Sequence, residues 1–170
     1  MPLSMYQASV PVFRQMLTCL SAILDKAAAH AEAKKIDPAV LVNARLFPDM
    51  FPLSKQVQIA CDFAKGTPAR LSGAEPPSFA DTETTIPELK ARIAKTLAFI
   101  ETLKPEEIDG SEERDITIKI GGNPMQFKGQ FYLVQFGLPN FFFHVTTAYA
   151  ILRHNGVELG KRDYMMPPQA

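Results

Sequence analysis

The sequence has few cysteines, no excess of either charge and no long apolar run. Its two cysteines, Cys19 and Cys61, each lie among apolar residues of predicted helices, which is typical of small core residues rather than of a disulfide. The 18 basic residues balance the 18 acidic ones, so no overall field attracts nucleic acid or a membrane surface, and we expect neither as a partner. No stretch approaches the roughly 20 apolar residues that a membrane span needs.

The sequence also lacks the motifs of common active sites. It contains no Gly-rich phosphate loop, no CxxC pair, no nucleophile elbow and no paired carboxylate motif. The first ten residues, MPLSMYQASV, have no basic segment followed by a long apolar one, so we expect no signal peptide and a cytoplasmic location. No motif decides whether the protein is an enzyme.

Helical periodicity dominates the first hundred residues. Apolar residues at three- and four-residue spacing predict one helix to about Lys35, a short one from Pro38 through Leu46, and a third that contains Val57 and Ala64. Gly66 and Pro68 should bend or end the third helix. A fourth helix follows a capping box formed by Thr85 and Glu88, and it continues to Pro105.

The period changes between about residues 113 and 129. Ile116, Ile118 and Ile120 alternate with polar residues, and the following Gly-Gly-Asn-Pro sequence is typical of a turn. This pattern predicts a short β-hairpin with one apolar face, which needs the rest of the protein for stability. A short helix over 130–137 and a final long helix from Pro139 to His154 follow.

These elements predict a mainly all-α protein, a four-helix bundle with a short β-hairpin inserted before the last helix. The alternative is an irregular α+β domain in which the hairpin joins a larger sheet. The 170 residues suit a single domain over 1–170, with a poorly ordered tail at 165–170.

Six residues are candidates for a pocket or ligand site. His144 lies among phenylalanines on the last helix, with Asn140 one turn earlier and the small Ala148 one turn later. It is either a hydrogen-bonded core histidine or a ligand or acid/base group, and Tyr149 on the same helix joins it as a ligand candidate. Asp62 is a solvated carboxylate or a site residue. Arg45 and Asp49 either lock their loop or clamp a ligand.

The chain resembles the DinB/YfiT-like superfamily, and more narrowly a domain-of-unknown-function branch shared by bacteria and fungi. The resemblance covers nearly the whole sequence. It rests on five segments, namely MYQASVPVF, LSAILDKAAAHAE, IDPAVLVNARLFPDMFPL, QVQIACDFAKG and FFFHVTTAYAILRHNGVELGKRDY.

The resemblance implies a four-helix bundle, a homodimer and a site for a divalent metal. Better-known members are metal-dependent enzymes, including thiol S-transferases and a maleylpyruvate isomerase, whose ion is held by one histidine of the second helix and an HxxxH pair of the fourth. Aligning ILRHNG places His144 on the second histidine of that pair, Asn140 on the first, and Asp62 near the second-helix ligand. One of three expected histidines remains, so a Zn, Ni or Mn ion is either held by an altered set or absent.

Three hypotheses for function follow. The first is a protein that binds a small molecule in a pocket beside His144 and has a degenerate or absent metal site. The second is a metal-dependent enzyme of the thiol S-transferase or isomerase type that uses Asn140, Asp62 and His144. The third is a dimeric structural or interaction module with the FFF segment at its interface.

Overall fold

The computed structural model describes residues 3–168, which form eight α-helices, one π-helix and a two-stranded hairpin. In chain order these are α1 (Val10–Lys34), α2 (Pro38–Val42), α3 (Leu53–Ser72), α4 (Ile86–Ile100), α5 (Pro105–Ile108), β1 (Asp115–Ile120), β2 (Asn123–Lys128), α6 (Gly129–Phe131), the π segment (Tyr132–Gly137), α7 (Leu138–His154) and α8 (Lys161–Met165).

Four long helices, α1, α3, α4 and α7, form the bundle around one hydrophobic core. The apolar stripe of α1 faces this core, and Phe13 meets Phe141 of α7 edge to face at 4.8 Å between ring centroids. Helix α3 packs most extensively against α7 and α4, so its side chains reach the centre of the protein. The predicted four-helix bundle with an inserted hairpin is confirmed.

The predicted helix ends are confirmed where side chains cap them. Asp37 accepts from the backbone N–H of Ala39 at the start of α2. At the start of α4, Thr85 accepts from the backbone of Glu88 while the Glu88 carboxylate accepts from the Thr85 N–H. At both helix starts, the capping side chains accept hydrogen bonds from backbone N–H groups that have no partner within the helix.

Helix α3 does not end near Gly66 and Pro68, which was one of the two predicted outcomes. The helix continues to Ser72 and ends at Gly73, whose φ is +83°. Pro68 and Leu71 are both buried, so tertiary packing holds the last turn although proline removes one helical hydrogen bond.

The hairpin packs against the π segment that precedes the last long helix. Strands β1 and β2 pair antiparallel, with Ile116 opposite Phe127 and Ile118 opposite Met125. The Phe127 ring lies 5.4 Å from Phe136 and 6.0 Å from Tyr132. These aromatic contacts supply the packing that a two-stranded hairpin lacks by itself.

Three further observations concern the cysteines, the C-terminal tail and the apolar content of the helices. Cys19 and Cys61 are fully buried and do not form a disulfide, as the sequence indicated. Helix α8 extends to Met165, the first residue of the tail that was predicted to be poorly ordered, and residues 169–170 of that tail lie outside the described residues. None of the helices in the described part of the chain has the length and apolar content that crossing a bilayer requires.

Candidate functional site

A pocket of about 680 Å³ lies between α3, the connector (residues 73–85), the hairpin and the π segment. The connector is the chain between α3 and α4, and it contributes Phe79 to the lining of the pocket. Five elements supply the lining residues that carry its chemistry: Asp62, Phe63, Lys65 and Arg70 from α3; Phe79 from the connector; Ile118 and Lys119 from β1; Tyr132 and Phe136 from the π segment; and Asn140 from α7.

Aromatic rings form the inner wall of the pocket. Tyr132 and Phe136, four residues apart in the π segment, have ring centroids 5.8 Å apart, and Phe63 of α3 lies 5.8 Å from Phe136. A π-helix adds a residue to each turn and is frequent at functional sites. Here it gives the pocket two aromatic side chains from one short segment.

Arg70 enters the pocket because Gly66 leaves room for it. A Cβ atom at Gly66 would lie only 2.6 Å from Arg70 Nη1, so the guanidinium lies over the preceding helical turn. Its Nη1 donates to the hydroxyl oxygen of Tyr132 at 3.2 Å. Arg70 has no carboxylate partner within residues 3–168.

Asp62 links the pocket to a buried cluster of charges. One of its oxygens, Oδ1, lies 3.0 Å from Lys65 Nζ and 2.9 Å from Arg92 Nη2. Lys65 is almost fully buried, with 8% of its side chain exposed, and its Nζ lies 5.0 Å from the centroid of the Phe79 ring. The Asp62 carboxylate is therefore already compensated by two cations.

Arg92 of α4 fastens the connector to the bundle. Its side chain is 1% exposed, and the guanidinium also pairs with Asp81 at 3.0 Å and Glu83 at 3.1 Å and donates to the Ala80 carbonyl. Burial alone lowers the pKa of Arg92, but the Glu83 hydrogen bond and the nearby carboxylates outweigh burial and raise it. Arg92 therefore stays charged and holds the connector, with Phe79, beside the pocket.

His144 lies behind the aromatic wall and does not line the pocket. Its ring stacks against Phe63 with 6.3 Å between centroids. Gln56 donates from Nε2 to the Phe51 carbonyl, so its Oε1 is the acceptor 2.7 Å from His144 Nδ1. This arrangement places the His144 proton on Nδ1 and leaves the lone pair on Nε2. Burial lowers the pKa of His144 and favours the neutral ring.

The structure brings together two of the three predicted metal ligands. Asn140 and Asp62 line one pocket, and Asn140 Nδ2 donates to the Phe136 carbonyl at 2.8 Å. Only His144 is arranged as a metal-bound imidazole is, with its other nitrogen held by a neighbour.

The donor set does not suit a divalent ion. Two cations beside Asp62 repel a third positive charge, and an amide oxygen from Asn140 is a weak ligand for Zn²⁺ or Ni²⁺. Within residues 3–168, no three His, Cys, Asp or Glu side chains form a group that could hold a metal.

The other predicted site residues lie apart from the pocket. Arg45 donates to the Met50 carbonyl of its own loop, and among the described residues it forms no ion pair with Asp49. Arg45 therefore holds its loop through a backbone acceptor and not through the predicted Arg–Asp lock. Tyr149 packs edge to face on Tyr164 at 6.0 Å, on the side of α7 near α8.

Sequence reasoning missed Arg92, Lys65, Arg70 and Tyr132. One signal was available for Arg92, because Leu89 and Thr96 lie on the same helical face and both are buried. A charged residue within an apolar stripe indicates a buried ion pair. Arg70 and Tyr132 are 62 positions apart in the chain, and no local pattern joins them.

Comparisons with known proteins agree with the geometry of the bundle. Residues 5–165 match the family model described as Domain of unknown function (DUF1993). The chain is also similar to the crystal structure of a DinB family member protein from Shewanella denitrificans, with 45% sequence identity and a TM-score of 0.86. That match covers 97% of this chain and 94% of the other. No curated protein matches the chain.

Proposed function

The chain belongs to the DUF1993 family of DinB-like proteins, and we propose that it binds a small molecule in the pocket lined by Asp62 and Asn140. The observation that carries this proposal is the composition of the pocket. Aromatic walls surround a few convergent polar groups in a volume of about 680 Å³, within the range of roughly 300–1,000 Å³ that is usual for ligand sites.

Each wall has a separate role in binding. Phe63 and Phe136 present ring surface to an apolar part of the ligand, while Asn140 Oδ1 is an acceptor because its Nδ2 is already bound to the Phe136 carbonyl. Ile118 and Lys119 of β1 bring the hairpin into the lining. His144 supports this site from behind by stacking on Phe63, and it does not touch the ligand directly.

A fragment screen by ligand-observed NMR tests this proposal. The pocket is filled in the variant Ser78→Trp, since Ser78 is an exposed lining residue of the connector. The matched control is Ala74→Trp, an exposed connector residue outside the lining. We expect fragments that bind the wild type and the control but lose binding to Ser78→Trp. Fragments that bind Ser78→Trp as well as the wild type, or a screen without hits, would overturn the proposal.

A further inference from the structure

Positive charge exceeds negative charge in the lining of the pocket. Lys65, Arg70 and Lys119 contribute three cations, and Asp62 contributes the one carboxylate among the described lining residues. That carboxylate also pairs with Arg92, outside the lining. The lining of the pocket therefore carries a net positive formal charge although the whole chain is formally neutral.

Arg70 has N–H donors that are available to a ligand in the pocket. A guanidinium carries five N–H donors, and the one protein acceptor of Arg70 within residues 3–168 is the Tyr132 hydroxyl. A half-buried arginine without a carboxylate partner is uncommon, because burial of an unpaired charge costs free energy. A bound carboxylate would supply the missing partner, in the planar two-bond geometry that arginine favours.

Tyr132 adds a second donor at the same place. Its hydroxyl oxygen accepts from Arg70 Nη1, so its own hydrogen points elsewhere and is available to a further acceptor. The rings of Tyr132, Phe136 and Phe63 continue from this polar end into the pocket. One end therefore suits an anion, and the remainder suits a flat apolar body.

We infer that the ligand is an aromatic carboxylate, with its carboxylate on Arg70 and the Tyr132 hydroxyl and its ring system against Phe63 and Phe136. This inference rests on the proposed small-molecule function and names the class of molecule. Lys119, exposed on β1, adds to the attraction at longer range. Lys65 remains paired with Asp62.

Three probes of nearly equal shape separate the charge from the apolar contacts. They are 1-naphthaleneacetate, its neutral analogue 1-naphthaleneacetamide and the cation 2-(1-naphthyl)ethylamine. Titrations followed by NMR should give the carboxylate a Kd about tenfold lower than that of the amide, because the neutral amide cannot form the charge-assisted hydrogen bond with Arg70. The amine should bind weakest. Equal affinity for carboxylate and amide would refute the inference and leave the proposed function standing. If none of the three binds at millimolar concentration, the inference is refuted, and the fragment screen decides the proposed function separately.

Two variants test the role of Arg70. Arg70→Gln removes its charge. Gly66→Ala displaces the guanidinium, because the new Cβ would occupy the space next to Nη1, while alanine favours the helix and should keep or raise the Tm. Both variants should weaken carboxylate binding about tenfold and amide binding by a clearly smaller factor, because the neutral amide loses no charge-assisted bond. Lys161→Gln, an exposed change on α8, is the control. Unchanged carboxylate binding in both variants would overturn the assignment.

Discussion

Arg92 of α4 donates to Asp62 of α3 at 2.9 Å, and the same Asp62 oxygen accepts from Lys65 on its own helix. This pair joins two neighbouring helices of the bundle at the edge of the pocket. Asp81 and Glu83 of the connector complete the cluster around the guanidinium. A single buried cation thus fixes three consecutive segments of the chain, namely α3, the connector and α4.

We expect Arg92→Leu to lower the free energy of unfolding by about 2 kcal/mol, because it leaves three carboxylates without their shared cation. That value is below the range for fully buried pairs, since Asp62 and Asp81 are 41% and 35% exposed. Urea unfolding measures the change. Arg14→Leu, an exposed substitution on α1, should change stability by less than about 0.5 kcal/mol. Equal loss in the two variants would contradict the special role of Arg92.

The stability of the protein should fall as the pH drops below about 6.5 because of His144. Burial lowers its pKa in the folded state below the ordinary value of 6.5, so the unfolded chain takes up the proton first. The stabilising contribution is complete above pH 6.5 and is lost as the pH falls towards the lower folded pKa.

Urea midpoints across this pH range test the assignment. His144→Gln should flatten the pH dependence, while His30→Gln and His154→Gln should retain it. A slope that is the same in His144→Gln and in the wild type would show that His144 is not its source.

Gly129→Ala should destabilise the protein by about 2 kcal/mol through overpacking. A Cβ atom at this position would overlap the backbone carbonyl oxygen of Ser111 and lie 3.3 Å from Leu71 Cδ2. The matched control is Gly160→Ala, where the nearest atom is 4.0 Å away. Thermal unfolding of both variants measures the difference. An unchanged Tm in Gly129→Ala would contradict the prediction and would mean that the backbone around Ser111 moves aside at little cost in free energy.

The two cations beside Asp62 predict no stoichiometric binding of Zn²⁺, Ni²⁺ or Mn²⁺. Elemental analysis of protein purified without an affinity tag or chelator measures this, and thermal shifts on adding each ion give a second reading. One equivalent of metal in the wild type that disappears in His144→Ala would contradict the prediction and support a metal-dependent enzyme instead.

The bundle could be predicted from the sequence because its signals are local. Helical spacing, the Asp37 cap and the Thr85–Glu88 capping box each depend on residues a few positions apart. The resemblance to DinB-like proteins is likewise confirmed by the family match. Local rules left open whether Pro68 bends or ends α3, and the helix continues there because burial of α3 outweighs the cost of a proline in a helix.

The pocket could be predicted only in part, because its contacts join distant segments. Of the three residues predicted as metal ligands, Asn140 and Asp62 line the pocket, whereas His144 stacks on Phe63 outside the lining. The FFF segment divides in the same way, since Phe141 is buried, Phe142 is half-buried and Phe143 is 55% exposed. Phe143 is therefore the residue of the three to change when the predicted homodimer is tested by sedimentation.

The two buried thiols have a practical consequence for labelling the protein. Cys19 and Cys61 have no exposed surface, and burial raises the pKa of both, that of Cys61 to about 12. Maleimides react with thiolates, so neither native cysteine competes with an introduced one. A fluorophore attached through Ser78→Cys would report on the connector in otherwise wild-type protein, without prior replacement of either native cysteine.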